Sequence, residues 1–171
     1  MNNMPIEIER EYIIKTPDIA LISSFEGYTS SVITQIYLES TQGVTHRIRK
    51  REFADKTVYT ETKKIKIDKM SAIEDEHEIS EKEFARLAER QKKGTDIIYK
   101  TRHTVKYGEL LLEIDVYPNW KSHCIMEIEL ENKDVSVAVP DFIEIVAEVT
   151  GDKKYSNASM SEKFPGEIND R

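Results

Sequence analysis

The run Pro5-Ile6-Glu7-Ile8-Glu9-Arg10-Glu11-Tyr12-Ile13-Ile14 decides how this chain is read. Extended, it sends successive side chains to opposite faces, so Glu7, Glu9 and Glu11 share one face while Ile6, Ile8 and Tyr12 occupy the other. Three carboxylates in a row repel one another. They call for cations opposite them: counter-ions in water, a row of Lys and Arg, or a divalent metal held by carboxylate oxygens.

Working outward, the same period of two recurs with both signs. Arg47, Arg49 and Arg51 alternate around Ile48; Lys63, Lys64 and Lys66 give residues 57–67 a basic end; Lys100 and Arg102 share a face within 97–107. Acidic strands answer them: Glu74, Glu76 and Glu78 within 72–79, Glu113 and Asp115 within 110–116, and Glu127 and Glu129 within 125–130. Residues 31–38 are β-branched and aromatic, completing eight strand candidates.

Three helices are expected between them. Thr16-Pro17-Asp18 reads as an N-cap with proline at the first helical position, and Ile19, Ile22 and Phe25 form a face that ends at Gly27. Ser80-Glu81-Lys82-Glu83 is a capping box opening a helix that runs to Gly94. Val139-Pro140-Asp141 starts a third, through Phe142, Ile145, Val146 and Val149 to Gly151.

Two architectures satisfy a strand with one charged and one aliphatic face. An open antiparallel sheet would put the charges in water and the aliphatics under helices. A closed barrel could instead turn the charges inward, with basic and acidic walls facing each other across the lumen. Uniform sign within each strand favours the barrel, because exposed sheet surfaces mix signs and avoid like charges at adjacent positions. Such a lumen suits a polyanion. Arg offers bidentate contacts to phosphate oxygens, and paired carboxylates take Mg²⁺ or Mn²⁺ together with water and substrate oxygens.

Composition narrows the field. At 171 residues, with 33% charged and 39% apolar residues and no 18-residue apolar run, a single domain without a membrane span is expected. The first residues lack the basic and apolar regions of a signal peptide, which points to the cytoplasm. A net charge of -7 argues against nucleic acid as partner. The single cysteine, Cys124, excludes an internal disulfide or cysteine cluster and, beside Ile125 and Met126, reads as a buried apolar side chain. His46, His77, His103 and His123 share no metal-ligand spacing, and Trp120 reads as a loop or rim packing residue. From about Ser161 the chain is polar and expected to fray, so the domain is placed at 1–160 with a tail at 161–171.

In their order along the chain, Glu7-Ile8-Glu9-Arg10, Gln35-Ile36-Tyr37-Leu38, Arg47-Ile48-Arg49, Lys100-Thr101-Arg102, Glu113-Ile114-Asp115-Val116, Glu127-Ile128-Glu129-Leu130 and residues 148–157 resemble the signatures of the CYTH domain, the triphosphate tunnel metalloenzyme family. The resemblance spans residue 6 to about 160. It implies an α+β fold, an eight-stranded antiparallel closed tunnel β-barrel with a charged interior and helices packed outside. It also implies Mg²⁺- or Mn²⁺-dependent hydrolysis of a triphosphate, with tripolyphosphate foremost and thiamine triphosphate, a nucleoside triphosphate or an RNA 5′ end as other substrates. Adenylate cyclisation is known on the same fold. Carried over, Glu7, Glu9, Glu127 and Glu129 become metal ligands, with Glu74, Glu76 and Asp115 as further acidic-wall candidates. Glu9, Glu129 and Glu113 become the catalytic carboxylates, and Arg47, Arg49, Lys63 or Lys64, Lys100, Arg102 and Lys154 the phosphate binders. Nothing in the sequence decides between a monomer and a homodimer.

Two positions depart from the family's pattern. Its first motif is Glu-x-Glu-x-Lys, but the last position here is Glu11, and an arginine usual before the second acidic strand is replaced by Ala72. Each lost charged hydrogen bond to phosphate costs about 1.5–3 kcal/mol unless Lys15, Lys66 or another lysine substitutes. A binding module without catalysis therefore stands beside the enzyme reading.

Overall fold

The computed structural model describes residues 6–168. Its frame is β1 (Ile6–Lys15), β2 (Thr29–Tyr37), β3 (Val44–Glu52), β4 (Thr57–Lys66), β5 (Ser71–Glu78), β6 (Ile98–Tyr107), β7 (Leu110–Val116), β8 (His123–Glu129) and β9 (Ile145–Glu148). Eight of these strands close on themselves in the order β1-β5-β4-β3-β2-β6-β7-β8-β1, antiparallel at every seam. Two meanders, β2 to β5 and β6 to β8, are joined by the β2–β6 pairing on one side and by β1 on the other. β1 makes the closure because its two halves pair differently: Ile6, Glu7 and Ile8 with β5, and Glu9 to Lys15 with β8. The open-sheet alternative is excluded, since closure leaves no charged face in bulk water.

The face assignment inverts an ordinary core. Aliphatics of the period-two pattern point outward and are covered by α1 (Ile19–Ser23), α2 (Glu81–Ala88) and the segment around Val135–Phe142. Ile14, Val105, Leu112, Ile114, Met126 and Ile128 are fully buried there, as is Ile48 beneath α2, where Leu87 of the helix packs in the same cluster. Ser80 caps α2 by accepting from Glu83 N at 3.1 Å, as the capping box requires.

Several local expectations are corrected. The N-cap of α1 is Asp18, which accepts from Ala20 N and Leu21 N, so Pro17 precedes the helix rather than opening it. The second helix ends at Ala88, well before Gly94, because Gln91 turns to bridge Leu38. The third helix is not formed. Residues 141–142 make a turn, and Ile145–Glu148 is strand β9, paired with Tyr12, Ile13 and Ile14 of β1. β5 releases that edge of β1 after Ile8, and a free edge in need of partners outweighs a helical spacing built from β-branched residues.

The tail does not fray through residue 168. α3 (Asn157–Glu162) buries Met160 and Ser161, Phe164 packs on Tyr117 and Trp120, and Glu167 accepts from the backbone N–H of Lys121 and Ser122. Trp120 is core rather than rim, 5% exposed with Nε1 donating to Pro165 O at 3.0 Å. These residues seal one end of the barrel. On β1, β6 and β8 the inward-facing positions there turn from charged to apolar at Ile13, Ile98 and Ile125, and these pack with Tyr37 of β2 and with Tyr117, Trp120, Val149, Tyr155 and Met160. Among the described residues no helix is long and apolar enough to cross a membrane.

Candidate active site

The barrel encloses a cavity of about 380 Å³ whose lining is almost wholly charged. β1 contributes Glu7, Glu9 and Glu11; β5 Glu74 and Glu76; β7 and β8 Glu113, Glu127 and Glu129. β3 contributes Arg47, Arg49 and Arg51, β4 Lys64 and Lys66, and β6 Lys100 and Arg102. The period of two places each set, since residues two apart on a strand share a face.

The walls are cross-linked by ion pairs. Lys64 Nζ donates to Glu7 and lies 3.3 Å from Glu9 and 3.4 Å from Glu74. Arg47 reaches Glu74 at 3.2 Å; Arg49 reaches Glu76 at 2.6 Å, and Thr62 donates to the same carboxylate. Deepest is a cluster on Asp115, which has no solvent exposure: Lys100 donates to it, and Arg102 grips it through Nε and Nη2 at 2.7 Å each while also reaching Glu113 and Glu127. Burial alone would raise the Asp115 pKa, but Arg102 and Lys100 hold it well below the usual carboxylate range. Burial lowers the pKa of Lys100 and, reinforced by Arg47, that of Arg49. Burial opposes the charge on Lys64 too, but Glu9 and Glu7 outweigh it and raise its pKa.

The β1–β8 wall has the reverse problem. Register sets Glu9 directly opposite Glu129 and Glu11 opposite Glu127, with Glu113 of β7 the next neighbour of Glu127. Burial, and then the charge on Glu9, push Glu7 up to about 7; burial and Glu127 push Glu11 up to about 8. Glu9 is raised by burial and by Glu127. Among the described residues Glu129 pairs with no Lys or Arg, and Oε2 of Glu74 accepts no hydrogen bond. This surplus of crowded carboxylate oxygens fits a hard divalent cation. As arranged, no three acidic, His or Cys side chains among the described residues already form a cation cage, because Lys64 and Arg102 occupy the points where the carboxylates converge. Glu7, Glu9, Glu127 and Glu129 supply carboxylate oxygens that could hold such an ion.

The structure brings most of the expected residues together and sets three apart. Lys63 points outward into a groove beside α2, Asp115 is buried behind Lys100 and Arg102, and Lys154 lies over the Tyr155 ring outside the lining. Its neighbour Lys153 lines the cavity instead, with Asp152, Ser156 and Asn157. No period marks these loop residues in the sequence. Arg51 and Lys66 also line it, and their spacing from Arg49 and Lys64 was the available signal. Lys15 pairs with Glu144 at 2.8 Å, away from the lining. Glu11 does face inward, so the reversed sign at that position is real. Cys124 is buried, its thiol pushed up to about 12 by burial. His46 is paired to Glu61 at 2.7 Å and His103 to Tyr28 at 2.7 Å, both away from the lining.

Fold and lining together define a closed antiparallel tunnel barrel with inward charges of both signs. No protein-family model and no curated protein sequence matches the chain. Solved structures do. The inorganic triphosphatase NE1496 superposes with a TM-score of 0.60 at 26% identity, over 94% of this chain and 97% of that one. PH1819 from Pyrococcus horikoshii gives 0.53 at 24% over 72% and 79%, and a conserved protein from Pyrococcus furiosus 0.57 at 22% over 75% and 80%; these two share the fold. The fold is that of the CYTH-type tunnel barrel, which this chain shares with the inorganic triphosphatase structure.

Proposed function

We propose that this protein is a divalent-metal-dependent triphosphatase acting on a small linear triphosphate, inorganic tripolyphosphate foremost. One observation carries the reading: an enclosed cavity in which Arg47, Arg49, Lys64, Lys100 and Arg102 face a wall of paired carboxylates with too few cations of their own. The likeness to an inorganic triphosphatase over nearly both full chains supports it.

Mg²⁺ or Mn²⁺, bound by Glu7, Glu9, Glu127 and Glu129, would neutralise charge developing on the phosphoryl oxygens. The basic strands hold and align the phosphates. Glu129, which pairs with no Lys or Arg among the described residues, accepts a hydrogen bond from the attacking water, with Glu9 beside it; Glu113 is held by Arg102 and orients rather than accepts. Water adds to the terminal phosphorus, the P–O–P bridge breaks, and orthophosphate and pyrophosphate leave.

A second reading, a tunnel that binds polyphosphate without cutting it, is favoured by Glu11, a carboxylate aimed into the cavity beside Glu127. Phosphate release from tripolyphosphate, ATP and thiamine triphosphate, with Mg²⁺ and with Mn²⁺, separates the two. Release that needs metal and vanishes in Glu7→Ala/Glu9→Ala establishes the enzyme. No release, with tripolyphosphate still raising the melting temperature, establishes the binding module.

A further inference from the structure

Most tunnel cations are already committed to carboxylates: Lys64 to Glu7, Arg47 to Glu74, Arg49 to Glu76, and Lys100 and Arg102 to Asp115. A polyanion can use them only by displacing those partners. Lys66 differs. It lines the cavity, yet among the described residues its ammonium meets no carboxylate within ion-pair distance. Register sets it directly across from Ala72, the next inward position of β5 after Glu74, which is 3% exposed and too small to obstruct a long side chain lying over it.

Its place along the barrel is equally specific. The apolar seal is built from β1, β2, β6 and β8 and takes no residue from β3, β4 or β5. At this end of that arc the inward positions are Thr45 of β3, Lys64 and Lys66 of β4, and Ala72 and Glu74 of β5. The turn after Lys66 packs against Gly151, where a Cβ would lie 2.8 Å from Lys69 Cβ, and two residues on Lys153 joins the same lining. The sealed end thus keeps a basic arc at its rim.

We propose that Lys66 is a phosphate-binding residue of this tunnel, a cation on the barrel wall that holds the end of a linear polyphosphate at the β4–β5 rim without first giving up a carboxylate. The inference rests on the polyphosphate reading above and adds to it a residue on β4.

Calorimetric titration with tripolyphosphate, with and without Mg²⁺, tests it on wild type, Lys66→Ala, Lys66→Arg, the charge-transposed Lys66→Ala/Ala72→Arg, and Lys56→Ala in the β3–β4 turn. The expected result is a Kd raised at least tenfold in Lys66→Ala, near-wild-type binding in Lys66→Arg, substantial recovery in the transposed variant, and no change in Lys56→Ala. Wild-type affinity in a folded Lys66→Ala overturns the role of Lys66 and leaves the polyphosphate reading standing. Equal losses in Lys66→Ala and Lys66→Arg overturn it too, since a charge contact tolerates arginine. Failure of the wild type to bind tripolyphosphate overturns both readings.

Discussion

At the scale of single residues, the tunnel is a set of charges whose states are set by neighbours more than by identity. Asp115 is ionised because Arg102 and Lys100 enclose it, and those two are tolerable in a buried site because Asp115 is there. Asp115→Asn leaves two buried cations short of a counter-charge, so chemical denaturation should show a loss of about 3–5 kcal/mol. Glu11 is the opposite case. Its folded pKa, about 8, lies above the ordinary 4.5, so the stability linked to its proton is fully present below pH 4.5 and is lost as pH rises through 8. Glu11→Gln imitates the protonated form. In chelator it should match wild type at pH 4.5 and exceed it at pH 8.5 by on the order of 2 kcal/mol, at about 1.4 kcal/mol per pKa unit less solvent screening. Identical pH profiles for the two proteins would refute the burial argument.

Elements carry those residues by two devices. Period two places the charges, and turns and caps fix where each strand begins. Gly151 has φ +73, and its close approach to Lys69 admits no side chain. Gly151→Ala should lower stability by about 1–3 kcal/mol and also weaken tripolyphosphate binding, because the displaced turn carries the chain from Lys66 and the flank of Lys153. An intact affinity in a destabilised variant would show that the turn does not position the site. Ser80→Ala removes the α2 cap and should cost about 1 kcal/mol in thermal or urea unfolding, with the cavity lining unchanged, since α2 covers the outside of β3 and β4.

For the whole molecule, closure is the feature that matters. In an open sheet the row Glu7, Glu9, Glu11 would be solvated and ordinary; in the barrel it faces Glu127 and Glu129 at close quarters, and only cations relieve it. The chain without metal should therefore lose melting temperature between pH 5 and 8.5 as Glu7 and Glu11 ionise, with folded pKa values of about 7 and 8. Mg²⁺ or Mn²⁺ should raise the melting temperature more at pH 8.5 than at pH 5, because ligation needs the ionised carboxylates. Equal increments at both pH values would mean that the ion binds elsewhere.

By itself the sequence determined the strands and the faces of the barrel wall. Glu7/Glu9, Arg47/Arg49 and Glu127/Glu129 were legible because a local period of two survives any tertiary arrangement. The tertiary structure alone decided what non-local pairing controls. β9 is a strand because β1 offers a vacant edge; the polar tail is tied down because the inward faces end in Ile13, Ile98 and Ile125 and need a cover. Lys63 and Lys64 are adjacent in sequence but point to opposite sides of the wall, and Lys153 rather than Lys154 reaches the lining, where the loop has no period to read. Asp115 and Glu113 share a face, yet one is buried under two cations and the other opens to the cavity, because burial depends on how far along the barrel axis a residue falls and not on its own neighbours in the chain.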